Sequence, residues 1–195
     1  MKFLSQICGF IFISIALFGC ETLPEQKPLP VISFARAAPL LLDVAQIEIQ
    51  NNYKPSLKLP NVNHEMPLKL HHVAEIWAKA RLKAVGRTGT ARFIITQASV
   101  VETKLKQTEG IKGMFTVDQG ERYDGTLSAQ VEVSGGIARG TAMARAGVRA
   151  SRTISEDATL AERERKWFDM IEAMVNELDK TLEMQIHLHL KAFLK

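Results

Sequence analysis

Cysteine is nearly absent from this chain, which has only Cys8 and Cys20 among its 195 residues. Both stand at the N-terminal end, so everything after Cys20 lacks a thiol. That remainder therefore has no disulfide framework, no cysteine metal site and no cysteine nucleophile. A domain of this kind, if it is exported, must be held together by core packing alone.

An apolar run long enough to cross a membrane is also missing near the N-terminus. The segment from Ile7 to Phe18 is almost wholly apolar but spans roughly 12 residues, whereas a membrane-spanning helix needs about 20. Before it, Met1–Gln6 carries one positive charge, Lys2, and after it Gly19 places a small residue next to Cys20. A short charged segment, an apolar segment of this length and a small residue together predict a secretory signal peptide.

The end of this segment, Leu17-Phe18-Gly19-Cys20, resembles a bacterial lipobox, at which a cysteine is diacylated and becomes the mature N-terminus. The resemblance implies that residues 1–19 are a lipoprotein signal peptide and that Cys20 is the lipidation site. An ordinary secretory signal and an uncleaved anchor are the alternatives. The implied location is the bacterial cell envelope. Glu21 replaces the aspartate associated with inner-membrane retention in enterobacteria, which favours the outer membrane.

Residues 20–39 are predicted to form a tether, because four prolines remove backbone donors and favour extended chain. Cleavage before Cys20 leaves 195 − 19 = 176 residues, and we predict a single domain over 40–195. The formal charge of +4 becomes +3 once Lys2 is removed. This excess suits an anionic membrane surface and is too small to indicate nucleic acid. The prolines are Pro24, Pro28, Pro30 and Pro39.

Hydrophobic periodicity predicts four strands and two helices. Consecutive strands joined by short turns imply an antiparallel sheet. The fold class is therefore α+β, a two-layer sandwich in which two helices cover an antiparallel sheet of about four strands. The order is strand (Leu41–Gln50), helix (Leu68–Val85), strands (Ala91–Leu105, Tyr123–Val133 and Ala138–Ile154) and a helix from Leu160, behind a capping box at Thr159 and Glu162.

The last strand combines small residues on one face with arginines on the other. Alanine has a weak strand propensity, so we expect its face to receive something bulky, such as a helix bearing Trp167. A helix is the alternative, but Gly140, Gly147 and the alternation favour a strand. The small face consists of Ala142, Ala144, Ala146, Val148 and Ala150.

Four local predictions complete the outline of the fold. Gly135-Gly136 predicts a hairpin. The tail Met184–Leu190 fits a strand or a continued helix, and the helix is preferred. Trp77 and Trp167 are expected in the core. In the second strand, one face is predicted to carry Phe93, Ile95, Ser99, Val101 and Leu105.

Catalytic motifs are missing too: there is no nucleophile elbow with a Ser-His-Asp order and no glycine-rich phosphate loop. Three carboxylates near Gly120, Asp118, Glu121 and Asp124, could act in a hydrolase. Arg122 among them favours local pairing instead. On a strand, His187 and His189 would lie on one side and could supply two ligands of a metal site. The alternative is that both are ordinary exposed histidines. We predict no catalytic residue, no metal and no cofactor, and therefore no enzyme.

Arginines form the most suggestive charged group, at positions 139, 145, 149 and 152. Arg145 and Arg149 share a predicted strand face about 13 Å apart at about 3.3 Å per residue. Guanidinium groups pair well with phosphate, so we predict a contact with anionic lipid at these two residues. The alternative is a solvated face opposite Gln130 and Glu132.

The lipobox at Cys20 and the order of elements resemble two groups of bacterial envelope lipoproteins. These are the auxiliary lipoproteins of ABC-type lipid-transport systems and the lipoprotein of the lipopolysaccharide translocon. The resemblance implies a non-catalytic binding or assembly module of an envelope complex, in lipid or lipopolysaccharide transport. Its partners would be the membrane, through the anchor, and an envelope protein complex or lipid, but no nucleic acid. A structural envelope lipoprotein is the alternative, and a hydrolase using the three carboxylates ranks below it.

Overall fold

The structure is a computed structural model that describes residues 28–34, 36–106, 117–135 and 140–195. The signal peptide predicted over 1–19, Cys20, Gly136 and Arg139 lie outside these residues. The described part has six strands, two α-helices and a short 3₁₀ helix over Lys191–Phe193. They are β1 (Leu40–Leu42), β2 (Gln46–Asn51), α1 (Leu70–Arg81), β3 (Leu82–Ala84), β4 (Thr90–Lys104), β5 (Gln119–Gly135), β6 (Gly140–Ser155) and α2 (Leu160–His189).

The main sheet has four strands in the order β2-β4-β5-β6, and both helices pack on it. This confirms the predicted α+β fold. The sheet is mixed, because β4, β5 and β6 pair antiparallel whereas β2 pairs parallel with β4. The parallel pair arises because α1 carries the chain back between β2 and β4, and a crossover of that kind returns the second strand in the same direction.

The predicted first strand is in fact two strands. β1 leaves the main sheet and pairs in parallel with β3, which directly follows α1. Gly86 packs directly on the turn between β1 and β2, and its N–H donates to the Val44 carbonyl at 3.0 Å. A side chain at this position would overlap the Asp43 backbone. The predicted helix 68–85 is therefore too long by the residues of β3, because Leu82 is buried in this second pairing.

The small-residue face of β6 receives α2, as predicted. Ala144, Ala146 and Val148 are buried beneath the helix that carries Trp167. The approach is close at the neighbouring strand as well, since a Cβ added to Gly125 would lie 2.6 Å from the Met174 sulfur. Small side chains on β5 and β6 thus let a long helix lie near the sheet.

One predicted strand face is wrong. A β-bulge between Ile95 and Gln97 shifts the register of β4 against β5. Because a bulge inserts one extra residue, the inward face changes from odd to even positions. Ala98 and Val100 are therefore fully buried, whereas Val101, predicted to share a face with Phe93, is only half-buried.

The ends of the helices and strands agree with several local predictions. Thr159 and Glu162 form the capping box: the Glu162 N–H donates to Thr159 Oγ1 at 3.3 Å, and the Thr159 N–H donates to Glu162 Oε2 at 2.8 Å. Helix α2 continues to His189, so the tail is helical. Gly135 pairs with Gly140 at the end of the β5–β6 ladder and has a φ of +80°.

The N-terminal described residues already belong to the core. Ile32 and Phe34 lie within the segment predicted as a tether, and both side chains are buried. Packing against the domain therefore begins before Leu40. No helix in the described ranges is both long enough and apolar enough to cross a membrane.

Candidate functional site

The two faces of the main sheet differ in what covers them. One face carries the buried apolar residues of β5 and β6 and packs against α2. The other, which we call the open face, is made of the alternate residues of each strand, and these are mostly polar and at least partly exposed. Antiparallel sheets commonly keep one solvated face of this kind. Ile94 is the buried apolar residue among them, between Gln50 and Gln130 on the neighbouring strands.

Arginines on the central strands of the open face are paired with acids. Arg92 Nη2 donates to Glu132 Oε2 at 2.7 Å across β4 and β5. Arg122 Nε donates to Asp124 Oδ2 at 2.9 Å along β5. These are solvent-exposed ion pairs, and their guanidinium groups are already occupied.

The arginines of β6 are different. Arg145 and Arg149 both lie on the open face, and within the described residues neither has a carboxylate partner. The Arg145 Nε contacts the Met143 sulfur at 3.2 Å. Arg152 lies on the other side of the strand and donates to the Ser151 carbonyl at 2.9 Å. The sequence also allowed a solvated face on which Glu132 lies opposite these arginines. In the structure Glu132 bonds Arg92.

Beside Arg149 the open face has a notch, which we call the Gly147 notch. It is a depression of ≈ 430 Å³ lined by Thr126, Ser128, Gly147, Val148 and Arg149. In the β5–β6 register Thr126 lies opposite Arg149, and Ser128 lies opposite Gly147. The notch exists because residue 147 has no side chain: a Cβ there would lie 3.1 Å from Ser128 Oγ.

The polar groups of the Gly147 notch suit an oxyanion. The hydroxyls of Thr126 and Ser128 and the Arg149 guanidinium have no hydrogen-bond partner among the residues that the structure describes. Each can donate, and a guanidinium binds phosphate oxygens with two parallel N–H groups. Two neighbouring strands fix the backbone positions of all three residues, so the cost of ordering on anion binding falls on the side chains alone.

A second depression of the open face, of ≈ 460 Å³, lies towards the other end of β6. Arg92, Glu132 and Met143 are among its lining residues. Its arginine is already bonded to its glutamate, so that guanidinium is less available to an anion than the Arg149 guanidinium of the Gly147 notch.

The three carboxylates near Gly120 do not form one centre. Glu121 shares the helix-covered face with Tyr123 and accepts from Arg163 Nη1 at 2.8 Å. Asp124 bonds Arg122 on the open face, in the local pairing that Arg122 suggested. The Asp118 carbonyl accepts from the Glu156 N–H at 3.1 Å at the edge of β6. With Glu121 and Asp124 directed to opposite faces, the arrangement gives no paired carboxylates for hydrolysis.

The histidine pair is also apart. His187 and His189 are exposed on the last turn of α2, and residues two apart on a helix are separated by about 200°. Across the described parts of the chain, no three His, Cys, Asp or Glu side chains are grouped as metal ligands.

Sequence reasoning missed a buried network at the start of α2. The Tyr123 hydroxyl donates to Glu102 Oε2 at 3.1 Å and accepts from Arg163 Nη1 at 2.7 Å. Tyr123 also meets Trp167 edge-on, with ring centroids 5.4 Å apart. Burial raises the pKa of Tyr123 to about 12, with the nearby Glu102 and Glu121 adding to the rise and Arg163 opposing it.

A second missed network joins α1 to α2. Arg81 is 1% exposed, and its Nε donates to Asp179 Oδ1 at 2.7 Å. Its Nη2 bonds Glu183, and the Trp77 indole N–H donates to the same Asp179 oxygen at 2.6 Å. Both networks tie elements together inside the fold, so we assign them to stability.

Comparison with known proteins gives no family assignment. No protein-family model matches the chain, and no curated protein matches it. Among solved structures it is similar to rare lipoprotein B from Shewanella oneidensis, at 12% identity and a TM-score of 0.37, covering 71% of this chain and 92% of that one.

Two further solved structures are similar at the same low level. A minor lipoprotein from Acinetobacter baumannii is 9% identical with a TM-score of 0.39, covering 74% of this chain and 92% of that one. An uncharacterized lipoprotein B from Nitrosomonas europaea is 10% identical with a TM-score of 0.40, covering 83% and 93%.

Proposed function

We propose that the protein is a lipid-anchored, non-catalytic binding module of the bacterial cell envelope, and that it recognises phosphate groups at the Gly147 notch. The anchor would be Cys20, as the lipobox predicts. The phosphates would belong to an anionic lipid or to a phosphorylated envelope glycan, both of which are at hand for a domain held at the membrane.

One observation carries this proposal: the Gly147 notch joins, on the open face of the sheet, an arginine and two hydroxyls that have no partner among the described residues. Arg145 lies further along the same face and adds positive charge beside it. Arg149 is exposed, Thr126 and Ser128 are half-buried, and none of these three side chains bonds another described residue, so we expect the fold to lose little stability without them. Donors of this kind are suited to binding an anion, because a hydrogen bond to a charged group contributes more binding free energy than a bond between neutral groups.

The test is a titration of the full chain with inorganic phosphate and with glycerol 3-phosphate, followed by NMR. We expect shifts of the amides around Thr126, Ser128 and Arg149. Arg149→Gln should weaken binding about 10-fold or more, because it removes a charge-assisted pair. The matched control is Arg152→Gln, which removes the same charge from the same strand but from the opposite side.

A steric variant separates the notch from general attraction by charge. Gly147→Ala leaves the net charge unchanged and places a methyl group against Ser128 Oγ, so it should weaken phosphate binding as well. If it does not, or if Arg152→Gln weakens binding as much as Arg149→Gln does, the notch is not the site. A purely structural envelope lipoprotein, the alternative function, would bind neither phosphate compound.

The anchor is tested separately. Mass spectrometry of the mature protein should show an acylated Cys20 as its first residue. Cys20→Ser should release the chain from the membrane fraction. An unacylated N-terminus would contradict the anchor without bearing on the notch.

A further inference from the structure

The loop between β2 and α1 exposes two leucines that are two positions apart in the sequence. Leu57 is 70% exposed and Leu59 is 73% exposed. Every residue from Lys54 to Pro60 is exposed. Single exposed leucines are ordinary on protein surfaces, but two exposed leucines in one short loop invite comparison with apolar binding sites.

This loop is held in place by β4 at both ends. The Asn52 N–H donates to the Ile95 carbonyl at 3.0 Å, and the Val62 N–H donates to the Val100 carbonyl at 3.0 Å. The Pro60 carbonyl accepts from the Glu102 N–H at 2.8 Å. The exposed tip is therefore presented by an anchored backbone, which lowers the cost of ordering it on a partner.

The charges within the loop sequence are all positive. Lys54 precedes the two leucines and Lys58 lies between them, and the sequence from Asn51 to Asn63 has no acidic residue. Neither ammonium group is bonded to a described residue. Leucines that alternate with lysines fit an anionic bilayer, where leucines enter the boundary between headgroups and acyl chains and lysines meet the phosphates. Lysine stems also extend along apolar surface while the charge stays in water.

We propose that the Leu57/Leu59 loop inserts into the headgroup region of an anionic membrane and orients the tethered domain. The proposal rests on the lipid anchor at Cys20 proposed above. Packing begins at Leu29, so the 9 residues after Cys20 reach at most about 32 Å when fully extended. The domain would stay close enough to the bilayer for the loop to touch it.

This contact is separate from the Gly147 notch. The loop borders β4 on the side of β2, and β2 and β6 form opposite edges of the sheet. A membrane bound at the loop would therefore leave the β6 side of the open face for another ligand.

The main experiment measures depth in the membrane. The lipidated mature chain is labelled with an environment-sensitive thiol probe at Leu57→Cys or Leu59→Cys. The labelled protein is placed in vesicles of phosphatidylethanolamine and phosphatidylglycerol at a ratio of about 3:1, which gives an anionic surface. Brominated acyl chains should quench both probes. The matched control is Leu188→Cys on α2, where the native leucine is similarly exposed at 67%, and it should not be quenched.

A second measurement tests the loop without the anchor. In the Cys20→Ser chain, the double change Lys54→Gln with Lys58→Gln should lower partitioning into these vesicles. The expected decrease is about 30-fold, because each lysine near an anionic surface contributes a similar part of the binding free energy. Lys166→Gln with Lys180→Gln, which removes the same charge from the exposed side of α2, should change it less than about 3-fold. Leu57→Ser with Leu59→Ser should lower it at least about 10-fold.

The outcomes separate this proposal from the anchor. Acylation of Cys20, read by mass spectrometry, tests the anchor. Quenching at positions 57 and 59 but not 188 supports the loop contact whether or not the chain is acylated. Equal quenching at all three positions, or none at 57 and 59, overturns it. A loop that docks on a partner protein instead would also leave positions 57 and 59 unquenched.

Discussion

The two faces of the sheet differ in whether their arginines are paired with acidic side chains. Towards the helices, two arginines with little exposed surface have acidic partners: Arg81 meets Asp179 and Glu183, and Arg163 meets Glu121. On the outer strand of the open face, Arg149 has none within the described residues. We propose that the difference separates charges that the fold requires from charges that bind another molecule.

The physical reason is the cost of leaving a charge without water. A buried charge that loses its partner destabilises the protein by several kcal/mol, whereas an exposed charge is solvated and its pairing contributes little. Substitutions on the helix side should therefore change stability, and substitutions on the open face should change binding. Predictions that compare the faces directly follow from this contrast.

The largest effect is expected at Asp179. Asp179→Ala removes the acceptor of both Arg81 Nε and the Trp77 indole and leaves a buried guanidinium with only Glu183. We expect a loss of about 3–5 kcal/mol in the free energy of unfolding, measured by urea denaturation. Asp179→Asn keeps a neutral acceptor and should cost less. A loss below about 1 kcal/mol for the alanine variant would show that water replaces the carboxylate.

The next effect is expected at Tyr123. Tyr123→Phe removes the hydroxyl between Glu102 and Arg163 but keeps the ring against Trp167. We expect a loss of about 1.5–3 kcal/mol at pH 7, because both lost bonds involve charged groups. Thermal unfolding with and without the hydroxyl measures it directly.

The same hydroxyl gives a dependence on pH. The pKa of Tyr123 is raised to about 12, chiefly by burial, against about 10 for an unfolded tyrosine. The folded state therefore holds this proton more tightly. The corresponding stability is complete below pH 10 and is lost as the pH rises from about 10 to about 12. In Tyr123→Phe the free energy of unfolding should not show this decrease between about pH 10 and pH 12. An equal decrease in both proteins would contradict the assignment of the raised pKa to Tyr123.

Two glycines give a matched comparison between the faces. Gly125→Ala directs a methyl group at the Met174 sulfur under α2 and should cost about 1–3 kcal/mol, as overpacking does. Gly147→Ala faces solvent beside Ser128 and should stay within about 0.5 kcal/mol. Combining Gly125→Ala with Met174→Ala should cost less than the sum of the single changes, because the smaller side chain makes room. Equal costs at the two glycines would contradict the difference between the faces.

Much of the fold could be predicted because its signals are local. Alternation identified β5 and β6, and Thr159 with Glu162 marked the start of α2. The β4 bulge and the separation of β1 from β2 could not be predicted. Both depend on partners distant in sequence: the loop around Asn61 pairs with β4, and Gly86 packs on Asp43.

The candidate site was only half predictable for the same reason. Alternation placed Arg145 and Arg149 on one strand face, and the structure agrees. Alternation also placed Thr126 and Ser128 on the polar face of their strand, but their position beside Arg149 and Gly147 could not be predicted, because it depends on the register of β5 against β6. The exposed Leu57 and Leu59 were hidden in a proline-rich loop, where no periodicity indicates which side chains are buried.

The smallest effect on stability is expected where the proposed function is strongest. Arg145→Gln with Arg149→Gln should change the free energy of unfolding by no more than about 0.5 kcal/mol, because neither guanidinium bonds an acid in the described residues. The comparison is Arg92→Gln, which breaks the 2.7 Å pair with Glu132 on the same face and should cost up to about 1 kcal/mol. Urea denaturation of the three proteins in phosphate-free buffer measures both. A loss above about 1.5 kcal/mol for the double variant would mean that the fold itself uses these arginines, and the reason for assigning them to a ligand would be gone. An unchanged stability with phosphate binding lost would show that two charges are kept on the open face for a molecule outside the fold.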